Sequence, residues 1–161
     1  MSNRIYIETS IPSFYFTERQ SPEAIARKNW TRQWWKEYAS QFSLLSSVAV
    51  ISELQKGQIH NLTANRIDLL KNLELLEITK EIEEITAIYI EKKVMPNDPA
   101  GDALHLALTS FHKIDVLLTW NCRHLANPNK FHHIGIINYE LGLSTPVLTT
   151  PMNYLVGGQD D

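Results

Sequence analysis

The sequence has a single cysteine, Cys122, so no intrachain disulfide can staple it, and the reducing cytoplasm is the expected setting. Glycine is also scarce. Six glycines in 161 residues leave little scope for phosphate-cradling loops, and neither G-x-G-x-x-G nor G-x-x-x-x-G-K-[ST] follows the first apolar run. That argues against a nucleotide-cofactor enzyme. No apolar run approaches the roughly 18 residues of a membrane span. Arg4 stands near the N-terminus without an apolar h-region after it, so no secretory signal is expected. A basic excess is missing too, since 15 Lys and Arg against 18 Asp and Glu give a net charge of −3. A general, charge-driven nucleic-acid binder is usually basic. An enzyme that grips phosphates locally through a cation remains open. Finally, no nucleophile-elbow pattern surrounds Cys122, which disfavours a cysteine or serine hydrolase.

What is present is an alternation of strand and helix signals, without repeats or low-complexity segments, over a length suited to one domain spanning 1–161. Strands are expected at 4–8, 42–47, 74–78, 115–120 and 146–150. Between them, helices are expected at 21–41, 48–57, 63–73, 79–94, 101–113 and 128–142. Ser21 with Pro22, Thr79 and Asn127 supply N-terminal caps, and Gly57 and Gly142 supply stops. Strands separated by helices predict an α/β fold: a parallel sheet between two helical layers. Ligands in such sheets gather at the carboxyl ends of the strands.

Several polar groups fall at those ends. Glu8 closes the first strand, Glu53 lies in the helix after the second, Asp102 opens a late helix, and Asn121 follows the buried run DVLLTW. Carboxylates are hard oxygen ligands, suited to Mg²⁺ or Mn²⁺. A dication held among them would activate water and offset charge developing on a phosphodiester. Other readings stand beside this one. Asp102 in the first turn of a helix complements the macrodipole, Glu53 alone could be a surface acid, and Asn121 suits a turn. His105, one turn beyond Asp102 among leucines, reads as a hydrogen-bonded packing residue. Asp98 and Asp115 fit turns.

The local contexts ETS, SELQKG, GDALHLAL and LLTWN, in this order, resemble those of PIN-domain nucleases, and in particular the VapC-like toxins of bacterial toxin–antitoxin pairs. The resemblance runs from Ile5 to about Pro151. It implies a flavodoxin-like three-layer α/β/α sandwich and Mg²⁺- or Mn²⁺-dependent cleavage of RNA. It places metal-ligating acids at Glu8, Glu53 and Asp102, and a fourth catalytic position at Asn121. The hydroxyls of Thr9 and Ser10 would hold the site's geometry. Arg123 and His124 follow Asn121 closely and read either as RNA-phosphate contacts or, more simply, as surface decoration. Two positions depart from the pattern, because Glu8 and Asn121 stand where relatives commonly carry aspartate. The resemblance further implies an antitoxin partner and a homodimer. A catalytically weakened module that binds RNA or protein is the alternative.

One helix is unusually aromatic. Trp30, Trp34 and Trp35 share the 21–41 segment with Arg27, Lys28, Arg32 and Lys36. Such a stripe is either core or, if exposed, the surface of a homodimer or an antitoxin groove.

Overall fold

The computed structural model describes residues 3–57, 60–97 and 101–156; Asp98 lies outside them. Five strands form one sheet: β1 (Arg4–Ile7), β2 (Ser43–Ser47), β3 (Glu74–Leu76), β4 (Val116–Leu118) and β5 (Val147–Thr149). Every pairing is parallel, and the order is β3-β2-β1-β4-β5. The helices are α1 (Ser10–Tyr15), α2 (Pro22–Glu37), α3 (Val48–Gln55), α4 (His60–Leu69), α5 (Lys80–Glu91), α6 (Asp102–Phe111), α7 (Pro128–Leu141) and α8 (Pro151–Val156). This is the expected three-layer α/β/α plan. The strand order differs from the 2-1-3-4-5 of flavodoxin-like sheets. Here the chain runs outward from β1 to β2 and β3, then crosses to β4 on the other side of β1.

Local chemistry explains most boundaries. The Ser21 and Thr79 hydroxyls accept from Ala24 N and Ile82 N, opening α2 and α5, and the Asn127 side chain accepts from Asn129 N at the start of α7. Gly142 ends α7 at φ 71°, where a Cβ would be strained. Strand β1 is covered on both faces, with Ile5, Tyr6 and Ile7 all buried, as a central parallel strand should be. Two short helices, α1 and α8, were not expected from periodicity. Six residues are too few to display it.

Helix α8 settles the aromatic stripe. It packs on α2, and Tyr154 meets Trp34 edge-on at 5.8 Å while Phe42 stacks at 6.4 Å. Trp34 is 0% exposed. The expectation that Trp34 presents a partner surface is therefore corrected: an unforeseen helix covers it. Trp30 and Trp35 are half-buried, Trp30 stacking on Trp120 at 6.1 Å and Trp35 set edge-on to Tyr15 at 6.2 Å.

Candidate metal centre

The order in which strands are added reverses between β1 and β4, and at such a switch point a crevice lies outside the strands' carboxyl ends. Glu8 emerges from β1 into that crevice and is 6% exposed. Its amide continues the ladder to Leu118 O at 3.2 Å, which fixes where its side chain begins. Three donors then converge on one carboxylate oxygen, Oε1. They are Ser10 N at 3.1 Å, the Ser10 hydroxyl, and the Thr119 hydroxyl at 2.6 Å. Ser10 Oγ in turn accepts from Trp120 N at 2.7 Å, and Thr119 Oγ1 accepts from Asn121 N at 2.9 Å. The ends of β1 and β4 are thus laced together through Glu8. With Oε1 so engaged, Oε2 is the oxygen with capacity to spare.

Glu53 arrives from α3, and His105 from α6. Among the described residues, Glu8, Glu53 and His105 form a group whose ligand atoms all lie within 4.8 Å of one another. His105 is 1% exposed and engaged at both nitrogens, Nε2 with Glu53 Oε1 at 2.6 Å and Nδ1 with Tyr6 Oη at 2.7 Å. Tyr6 Oη also meets Ser47 Oγ at 2.7 Å, and Ser47 Oγ caps α3 by accepting from Val50 N. A carboxylate only accepts. The proton order that satisfies this buried row is Ser47 to Tyr6, Tyr6 to His105 Nδ1, and His105 Nε2–H to Glu53. Burial pushes the His105 pKa down, but the Glu53 hydrogen bond and the charges of Glu8, Glu53 and Asp102 outweigh it, leaving it raised. Burial raises the Tyr6 pKa well above its usual value, so its hydroxyl stays a donor. Tyr6→Phe strands a buried Ser47 hydroxyl and His105 Nδ1. It is expected to lower unfolding free energy by about 1–3 kcal/mol, read as a shift in urea midpoint.

Asp102 opens α6 one turn before His105 but stands outside the close group. Its Oδ1 accepts from Asn121 Nδ2 at 2.8 Å, while Asn121 Oδ1 accepts from His124 N at 3.0 Å. Both ends of the Asn121 amide are therefore occupied, one orienting Asp102 and the other closing the turn after β4. Thr9 caps no amide, and its Oγ1 is buried without a partner among the described residues; its carbonyl accepts from Ser13 N and Ser13 Oγ. The carbonyl of exposed Arg123 accepts from Asn127 Nδ2 at 2.9 Å, and half-buried His124 lines a shallow pocket with Lys130. Asp115 is elsewhere, accepting from Arg4 N at the opposite end of the sheet.

The donor set suits a hard or borderline divalent ion: two clustered carboxylates, a third on the rim, and an imidazole. Among the described residues no Lys or Arg forms an ion pair with Glu8, Glu53 or Asp102. A cavity of about 640 Å³ opens beside Glu53, walled by Val48, Ala49, Ile78, Ala87, Ile90 and Leu104. Thr119, Tyr6 and Ser47 were not singled out from sequence. Thr119 lay in the motif LLTWN, and its signal was a hydroxyl at a strand's carboxyl end.

Neither a protein-family model nor a curated protein matches the sequence. Solved structures do resemble it. A chain in the crystal structure of VapBC2 from Rickettsia felis, bound to a DNA fragment from their promoter, superposes with a TM-score of 0.56 at 15% identity, covering 91% of this chain and 96% of that one. A chain of FitAcB from Neisseria gonorrhoeae matches with a TM-score of 0.49 at 12% identity, over 73% of this chain and 88% of that one. The likeness to the first establishes a PIN-like fold.

Proposed function

We propose that this chain is a Mg²⁺- or Mn²⁺-dependent endoribonuclease, the toxin of a type II toxin–antitoxin pair. The observation that carries the reading is the meeting of Glu8, half-buried Glu53 and His105 in one close group at the sheet's switch point, with the charge of Asp102 acting on His105. Glu8, Glu53 and Asp102 hold the cation, which when bound supplies water activation and charge neutralisation at a phosphodiester. Ser10 and Thr119 hold Glu8 in place, and His105 holds Glu53. Asn121 orients Asp102, Thr9 anchors the first turn of α1, and Arg123 and His124 face the RNA backbone. Products carry 5′-phosphate and 3′-hydroxyl ends. The ordered sequence motifs and the structural likeness to a toxin–antitoxin complex support an antitoxin partner, and the apolar cavity beside Glu53 suits a segment of it. Homodimerisation and a cytoplasmic setting belong to the same reading. No helix among the described residues is long and apolar enough to cross a membrane.

The second reading is a PIN-like module that binds RNA or protein without cutting. The neutral Asn121, with both amide ends committed, favours it, because the rim carries one charge fewer than four acids would. Incubation of pure protein and an Asp102→Asn variant with mixed RNA and Mg²⁺ or Mn²⁺ separates the two. The nuclease reading expects wild-type cleavage that EDTA stops, and a loss of about 10²-fold or more in the variant. Equal cleavage by both proteins would mean contamination or a misassigned site. No cleavage together with retained RNA or protein binding would favour the module.

A further inference from the structure

Six arginines occur in this acidic chain, and four of them gather around α1 and the residue after it. Arg66 Nη2 donates to Ser13 O at 3.1 Å, and Arg32 Nε donates to Tyr15 O at 2.8 Å. The guanidinium carbons of Arg19 and Arg27 lie 5.5 and 5.2 Å from the centre of the Phe14 ring. Arg27 pairs with Glu23 at 3.2 Å, whereas Arg19, Arg32 and Arg66 form no ion pair among the described residues. Between α1 and α4, Arg19 and Arg66 line a cleft of about 440 Å³ together with Ser13, Phe14, Thr17 and Glu18. Arg66 is half-buried, and its Nε is buried without a partner among the described residues. Burial lowers its pKa, a cost that Glu18 only partly relieves.

Placement gives the cleft its meaning. Helix α1 begins at Ser10, which holds Glu8, and Ser13 lies one turn further on, bonded back to Thr9 O. A polyanion approaching a centre made of carboxylates meets repulsion unless cations stand beside its path. The guanidiniums here are fixed in advance by carbonyls and rings. They therefore lose little freedom on meeting a phosphate, and their planar fork fits its oxygens. Glu18 is the one acid in the wall.

We propose that the α1–α4 cleft is the substrate-strand subsite of the carboxylate centre, taking a backbone phosphodiester of single-stranded RNA between Arg19 and Arg66. The proposal rests on the nuclease reading for its substrate, and its test is kept separate by measuring binding in EDTA. Anisotropy of a short labelled single-stranded RNA is followed from about 50 to about 200 mM salt. The proteins compared are wild type, Arg19→Gln/Arg66→Gln, and Lys113→Gln, an exposed control at the far end of α6. Each phosphate contact on a single strand contributes a slope of about −0.7 in log K against log salt. With one phosphodiester held by the pair, the double variant should therefore lose about 0.7 of the slope and bind at least ~5-fold more weakly at low salt, while the control matches wild type. If the double variant fails to fold by circular dichroism, the exposed Arg19→Gln alone should bind more weakly and lose part of that slope. An unchanged slope and affinity in the folded variant would overturn the subsite. So would displacement of the RNA by poly-glutamate at equal charge concentration, which would assign the cleft to an acidic protein segment. Binding with the expected slope in a protein that never cuts RNA leaves the subsite standing and removes the nuclease. Unchanged cleavage kinetics in the double variant do the reverse.

Discussion

Glu8→Gln is expected to abolish divalent-metal binding and to lower RNA cleavage by at least about 10²-fold, while the protein remains folded. The expectation follows from how Glu8 is held. Its Oε1 receives Ser10 N, Ser10 Oγ and Thr119 Oγ1. A glutamine carbonyl oxygen can receive the same three, so the lacing of β1 to β4 survives. What is lost is one negative charge, and with it an anionic oxygen at the centre of the group. Losing a ligand of this kind removes several kcal/mol of charge stabilisation, and ~3 kcal/mol corresponds to roughly 10² in rate. Mn²⁺ calorimetry and single-turnover cleavage read the two effects, and urea unfolding reads the third. A variant that still binds Mn²⁺ like wild type would take Glu8 out of the metal site. A variant that unfolds would show that the carboxylate's charge serves the fold instead.

Trp34→Ala should cost the fold about 3–5 kcal/mol, the range for deleting a fully buried large aromatic. Trp34 is 0% exposed and is enclosed by Phe42, Trp35 and Tyr154. Its removal opens a cavity between α2, the start of β2, and α8. Trp35→Ala, on a half-buried ring, should cost less. Denaturant unfolding with unchanged m-value is the measurement, and the urea midpoint should drop in that order. Equal, small effects at the two positions would mean that α8 does not seal this side of the sheet.

The three-layer plan was legible because each level of the sequence agreed. Caps at Ser21, Thr79 and Asn127 and the stop at Gly142 coincide with the ends of apolar periodicity. Strand β4 is shorter than its apolar run suggested. DVLLTW reads as one buried strand, yet strand β4 covers only Val116–Leu118. Thr119 N still donates to Thr149 O at 2.9 Å while its Oγ1 donates to Glu8, and the backbone leaves the sheet at Trp120, whose N donates to Ser10 Oγ and whose Nε1 donates to Thr31. No local propensity records these contacts. Helices α1 and α8 are short, and Pro12 inside α1 reads as a breaker, although it sits in the first turn, where its missing N–H leaves no bond unmade.

The candidate centre was half legible. Glu8 and Glu53 follow from strand ends and spacing. Asp102 and His105 lie three residues apart on one helix, so sequence places both toward the same neighbour. Which of them reaches Glu53 depends on the register of α6 against α3 and on the buried Tyr6 and Ser47 hydroxyls, which draw His105 inward. Asp102 is left at the rim with Asn121. Hydroxyls such as Thr119 escape notice for a related reason, because serine and threonine occur everywhere and only three-dimensional contact distinguishes one that grips a carboxylate.

Anomalous diffraction from crystals soaked in Mn²⁺ tests the shared cation most directly. An anomalous peak is predicted within coordination distance of both Glu8 and Glu53 carboxylates, and its loss is predicted in Glu8→Gln crystals soaked alike. A well-soaked crystal with no peak in that crevice, or a peak touching neither glutamate, would contradict it.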